Sequence, residues 1–199
     1  MPPAKVLGWQ EQPSVFERIE SYAAAPFDLT GDGPPERVVA RVVSLGLFDM
    51  LGITPLMGRT FTGEEGAPGS AKVVVIGYQF WRSRYSGSPS VLGEILHLND
   101  EPYTVIGVLR PNTILLTDDE PIWLPINLKA WSTHPSSYGF HSVGRLARGL
   151  DFEDARRAAD RIAVALGEER PIPRGWYIGL TKKEVSSMAT ESRRALVVL

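Results

Sequence analysis

The sequence predicts an α+β fold in which a β-rich block is inserted into a mixed α/β frame. Three observations predict it. Between residues 53 and 124, short runs rich in Val and Ile are cut by glycine and proline, the punctuation of many short strands. Helical spacing of apolar residues shows nearer the ends, over residues 14–25 and again from Phe152 to Leu166. The strand-like runs 37–43 and 142–148 stand on opposite sides of the block, so they share one sheet only if the block is an insertion.

The elements follow in order. Ser14-Val15-Phe16-Glu17 has the capping-box pattern, in which Ser14 accepts from the third helical amide and Glu17 reaches back. Val15, Phe16, Ile19, Tyr22 and Ala23 then share a helical face, and Pro26 forbids continuation, which predicts a helix over 14–25. Residues 27–30 and 37–43 flank a Gly-Asp-Gly-Pro-Pro break and read as hairpin strands, or at least neighbours in one sheet. Leu47, Phe48 and Leu51 give one helical turn stopped by Gly52.

Inside the block, residues 73–76 read as a buried strand and 79–85 as a short helix with Phe80 and Trp81 facing inward. Residues 94–98 and 103–108 flank Asn99-Asp100-Glu101-Pro102, a turn composition, and predict a second hairpin. A short strand follows at 122–124, then a loop over 131–139 and a strand over 142–148. Asp151 is the N-cap of the clearest helix, with Phe152, Ala155, Ala158, Ala159, Ile162, Ala163 and Leu166 on its inner face and Gly167 as its end. Residues 176–180 read as a final strand. After Arg193 and Arg194 comes ALVVL, too short to cross a bilayer, which needs about 20 residues. It is either the start of a membrane span or a buried terminal strand.

Composition narrows the function. In 199 residues, 21 basic and 23 acidic side chains nearly cancel, so there is no electrostatic footprint for nucleic acid. The 43% hydrophobic content suffices for a sizeable core. With no cysteine, disulfides, thiol catalysis and thiolate metal sites are excluded. Met1 opens no secretory signal, because no apolar stretch of the required length follows.

Chemical motifs are as sparse. Asp28-x-Thr30-x-Asp32-Gly33 matches the first half of a calcium loop, but Val39 stands where the bidentate glutamate belongs, so it reads as an ordinary Asx-type turn. His97, His134 and His141 have no metal-binding spacing, and no nucleophile elbow of the GxSxG type occurs. No GxxxxGK[ST] loop is present, so the chain is not expected to bind ATP, and no cofactor or metal is expected. Two segments stand as candidate partner contacts: the acidic run Asp118, Asp119, Glu120, and the aromatic loop bearing Trp131, Tyr138 and Phe140.

A family pattern runs through the chain. It comprises Trp9-Gln-Glu-Gln12, Phe16, Phe27-x-Leu29-Thr30-Gly31, Pro35-Glu36-Arg37, Val43-Ser44 and Phe48. It continues in Leu51-Gly52, Pro55, Gly58-Arg59-Thr60-Phe61, Trp81-Arg82, Gly87, Val91-Leu92-Gly93 and Tyr103-Thr104-Val105-Ile106-Gly107-Val108. Trp123-x-Pro125, Arg145-Leu146, Gly149 and the helix carrying Ala155 complete it. In this order the residues resemble the MacB-like periplasmic domain of ABC-transporter permeases, closest to the large duplicated orphan permeases of that superfamily.

The resemblance implies a porter-like subdomain from residues 1–54 and 131–190, a sabre-like inserted subdomain over 55–130, and a truncated transmembrane segment beginning within 191–199. It implies a non-catalytic domain on the periplasmic side of the cell inner membrane. Such a domain relays conformational change between the permease helices of the same polypeptide and a substrate or partner protein during export. ATP hydrolysis would fall to a separate subunit. The chain starts later than the family pattern, which leaves an open sheet edge and a monomer or an edge-paired dimer. The alternatives are a stand-alone binding module and, third, a small hydrolase, which needs a serine and a histidine within hydrogen-bond reach.

Overall fold

One long strand, β1 (Phe16–Thr30), organises the molecule. The computed structural model describes residues 3–31, 34–63, 65–66, 69–111, 113, 121–126, 128, 140–169, 181–183 and 196–198. Ahead of β1 stands α1 (Pro3–Gln10), and after it come β2 (Glu36–Ser44), α2 (Leu47–Met50), β3 (Met57–Gly58), β4 (Val73–Ile76) and α3 (Tyr78–Tyr85). Then follow β5 (Ile95–Leu98), β6 (Glu101–Val108), β7 (Ile122–Ile126), β8 (His141–Leu146), α4 (Phe152–Glu169), β9 (Thr181–Lys183) and β10 (Leu196–Val198). The fold is thus mixed α/β and rich in strands.

Six strands close on themselves in the order β1-β2-β7-β4-β6-β5 and back to β1. The closing bond pairs Leu29 and Thr30 with Leu98 and His97. Within the ring β2–β7 and β4–β6 run parallel and the other pairs antiparallel. Alternation sorts the side chains: Leu29, Val38, Ala40, Val42, Val74, Ile76, Leu96, Leu98, Val105, Ile122 and Leu124 share one core. Intervening residues Val43, Val73, Val75 and Trp123 join a second core outside the ring, roofed by Leu47, Phe48, Met50 and Phe61. Both faces of β4 are therefore covered, which is why its four residues are all apolar and all buried.

The lower half of β1 leaves the ring. Phe16–Tyr22 pairs with β8, β8 with β10, and β10 with β9. Trp9 of α1, Phe16, Leu146, and Ala155 and Ala159 of α4 extend the first core beneath this smaller sheet.

Several sequence expectations meet the structure closely. Both hairpins form, and the second turns through Asn99 and Asp100 at φ 51° and 62°, the left-handed pair a two-residue turn requires. Trp81 is buried with its indole donating to the Ser88 carbonyl at 2.8 Å, and Phe80 is half-buried. The Asp151 carboxylate caps α4 by accepting from the Asp154 amide at 2.8 Å. The expected strand at 176–180 lies outside the described residues. The apolar tail forms the strand Leu196–Val198 against β8.

Three expectations are corrected. Residues 14–25 are not a helix: Ser14 and Glu17 are exposed and make no capping box, and from Phe16 onward the chain is β1. Pro26, expected to break a helix, sits where β1 has no strand on its second edge among the described residues, a setting that tolerates proline. Helix α4 runs through Gly167 to Glu169, since one glycine costs a helix only about 1 kcal/mol. The helix α1, which opens on Pro3, was not expected: its inward residues Val6 and Trp9 are too few to show a period.

Candidate functional site

The two pairings of β1 meet at one residue. Tyr22 faces Val43 of β2 on one edge and His141 of β8 on the other. Around this crossover lie all four polar residues that are buried among the described residues: Glu20, Ser21, Ser44 and Ser142. A buried polar group left unpaired costs about 1–3 kcal/mol, so each must find a partner.

Each does. The Ser21 amide donates to Ser44 Oγ at 2.7 Å, and the Ser21 and Ser142 hydroxyls meet at 2.8 Å. Ser44 Oγ donates to Glu20 Oε2. The other Glu20 oxygen accepts from Arg18 Nε at 2.8 Å, and Arg18 Nη1 reaches Asp49 Oδ2 of α2 at 2.6 Å. Gly46 leaves room for this clasp, because a Cβ there would stand 1.9 Å from Arg18 Nη2 and 2.2 Å from Glu20 Oε1. Burial works against the Arg18 charge, yet its bonds to Asp49 and Glu20 outweigh that and hold its pKa above the ordinary value.

Arg145 of β8 lies directly across from Arg18. Two facing guanidiniums repel: Arg18 is met by two carboxylates, whereas Arg145 donates Nη2 to the Met50 carbonyl at the end of α2 and its buried Nε has no partner among the described residues. Helix α2 is thus gripped by an arginine from each of two neighbouring strands, while its own Leu47, Phe48 and Met50 are buried against the ring.

Above the network a stack covers the crossover. The Tyr22 ring lies on His141 at 5.2 Å and 21°, and the Arg41 guanidinium sits 5.7 Å from the Tyr22 centroid. Burial pushes the Tyr22 hydroxyl pKa up, against the opposing Arg41 charge. Burial, with nearby positive charge that includes Arg41, holds His141 below the ordinary histidine value.

The chemistry of this arrangement is structural. Ser21 and Ser142 have no exposed surface, and their hydroxyls bond each other. Among the described residues no serine is hydrogen-bonded to a histidine, and no group of three acidic or histidine side chains could hold a metal. The Asp28 carboxylate of the half calcium pattern faces Arg37 at 3.4 Å. What the network can do is fix the register of three strands and tie α2 to all of them.

Of the residues singled out as partner contacts, Phe140 is buried at 4% exposure in the main core. Asp118, Asp119, Glu120, Trp131 and Tyr138 lie outside the described residues. Sequence reasoning missed the crossover network, whose one signal was the polar triplet Arg18, Glu20 and Ser21 in a segment read as an amphipathic helix.

The family model of the MacB-like periplasmic core domain matches residues 2–168. The chain belongs to this family. Its motif resemblance and its family match therefore agree. The MacB-like domain is 27% identical over 125 residues, 62% of its length, to the macrolide export ATP-binding/permease protein MacB of Shigella dysenteriae serotype 1 (strain Sd197). It spans only 19% of that protein. The periplasmic region of MacB from Actinobacillus actinomycetemcomitans shares its fold with a TM-score of 0.65 at 16% identity, over 85% of this chain and 74% of that one. So does the extracellular domain of YknZ, a noncanonic ABC-type transporter from Gram-positive bacteria: TM-score 0.64, 17% identity, 87% of this chain and 86% of that one. No helix among the described residues is long and apolar enough to cross a membrane.

Proposed function

We propose that this chain is the extracytoplasmic part of an ABC-type permease and that it works as a mechanical, non-catalytic element in export. The observation that carries the reading is the family match across residues 2–168, which takes in both ends of the chain and the block between them. The membrane helices of the same polypeptide would move the base of the domain. A separate ATPase subunit would supply the energy, and a substrate or partner protein would be met outside the membrane. The porter-like lobe would draw on residues 1–54 and 131–190 and the sabre-like lobe on 55–130. Strands β1 and β2 would reach from the first lobe into the second, since both are staves of the closed ring. A continuous strand crossing between lobes suits a relay, because it transmits displacement without a slack connection.

The test is made in the full-length permease. In a background whose cysteines outside this chain are replaced, Ile95→Cys, at 49% exposure, gives a label site of known position, since the chain itself has no cysteine. A membrane-impermeant maleimide is expected to label it in cells whose inner membrane is intact. Labelling only after that membrane is opened would reject the extracytoplasmic placement. Measurable hydrolase turnover by the purified protein would reject the mechanical one.

A further inference from the structure

The buried polar residues of the described chain are not spread through its cores. All four lie within two positions of the place where the strand pairings exchange. Above Tyr22, β1 is held by β2; below it, by β8; among the described residues no other strand pairs with β1 on both sides of the join. Apolar cores resist rotation because their side chains interlock. Hydroxyls can turn and trade partners while staying satisfied, and Ser21, Ser44 and Ser142 form a row of them across three strands. The clasp has two unequal arms. Glu20 is buried, so the bond it accepts from Arg18 is costly to break, whereas the Asp49 side chain is 81% exposed and an exposed ion pair is readily exchanged for water.

We propose that Ser21–Tyr22 is a hinge between the six-stranded ring and the β1–β8–β10–β9 sheet, and that Arg18–Asp49 is its releasable latch. Glu20 keeps Arg18 in place when the latch opens, so it can close again. Helix α2 moves with the ring, against which Leu47, Phe48 and Met50 are buried; released from Arg18, it keeps only the Arg145 bond and the core contact with Val143 as ties to the small sheet. This inference concerns the fold itself and does not depend on the transport reading.

Ile95→Cys on the ring and Val164→Cys on α4, at 49% and 62% exposure, receive spin labels in the full chain. Electron–electron distance measurement then reads the angle between the two bodies. The parent protein is expected to give one dominant distance. Asp49→Asn is expected to raise the share of a second distance about fivefold relative to the first, the factor that corresponds to about 1 kcal/mol. Asp49→Glu, which keeps the carboxylate, is expected to restore the parent pattern. Asp154→Asn removes another exposed ion pair, with Arg157 at 2.5 Å, remote from the crossover, and is expected to leave the distances unchanged. Identical distributions in the parent and Asp49→Asn overturn the latch, and equal broadening by Asp154→Asn overturns its location. Loss of the native circular dichroism in Asp49→Asn overturns the assignment of Asp49 as a releasable arm.

Discussion

Gly58 and Gly107 face each other across the β3–β6 pair and offer a clean separation of two energetic terms. A Cβ on Gly107 would stand 2.2 Å from the Arg59 carbonyl oxygen, and one on Gly58 would stand 2.1 Å from the Ile106 carbonyl oxygen. Carbon–oxygen contacts between strands settle at about 3.3–3.6 Å, so β3 must retreat by roughly 1 Å. The obstacle in each case is backbone, which cannot rotate away. Overpacking of this kind costs about 1–3 kcal/mol. Gly58 also sits at φ +71°, a left-handed conformation that costs a side-chain-bearing residue about 1–2 kcal/mol. Gly93, at φ +91° with nothing within 4 Å of its would-be Cβ, carries the conformational term alone. Hence Gly93→Ala is expected to lose about 1–2 kcal/mol, Gly107→Ala about 1–3, and Gly58→Ala about 2–5, the sum of both terms. The double variant should lose less than its parts, because one retreat of β3 relieves both clashes. Urea unfolding followed by tryptophan fluorescence measures all four at unchanged slope. If Gly107→Ala falls within about 0.5 kcal/mol of the parent, or if Gly58→Ala is no worse than Gly93→Ala, the close approach of the two backbones is refuted.

Four further outcomes are expected. Phe48→Ala empties a site at 1% exposure whose ring meets Phe61 and Trp123 at 5.6 Å, and should cost about 3–5 kcal/mol in the same assay. Ser21→Ala strands the Ser142 hydroxyl at a cost of about 1–3 kcal/mol, and Ser21→Ala with Ser142→Ala should recover part of it; a fully additive double variant speaks against the shared bond. Glu65 is raised by burial, but bonds from Arg59 and Thr62 outweigh that and lower its pKa below the ordinary 4.5. Its contribution to stability is therefore whole above that value and fades as pH falls below it, and Glu65→Gln should flatten this acid limb. His141 has its pKa lowered from 6.5, so the unfolded chain takes its proton first. Stability should fall as pH drops below about 6.5, and His141→Asn should remove that slope; a slope unchanged in the variant assigns it to another group.

The elements that a local rule determines were legible in the sequence. The strand of β4, the Asn99-Asp100 hairpin and the Asp151 cap each obey a rule that needs only neighbours in the chain. The long strand was misread because it serves two cores. Phe16 and Ile19 point into one core across a bulge, which turns a spacing of two into three, and Tyr22 points into the other. The resulting intervals imitate a helix. Ring closure was invisible for a related reason: it rests on Leu29 and Leu98 becoming neighbours, and neither residue carries a mark of the other. The crossover network was hidden because serines in a strand look alike whether they face water or one another.

Ser21 and Ser142 are 121 residues apart in the chain yet share a hydrogen bond. The lower half of strand β1 therefore leaves the ribosome more than a hundred residues before β8, the partner it pairs with. Non-local closure of this sort slows folding and prolongs the exposure of unpaired strand edges. Nascent chains cut before His141 should therefore remain dependent on holding chaperones, and the steep rise in protease resistance should come only once β8 has been made.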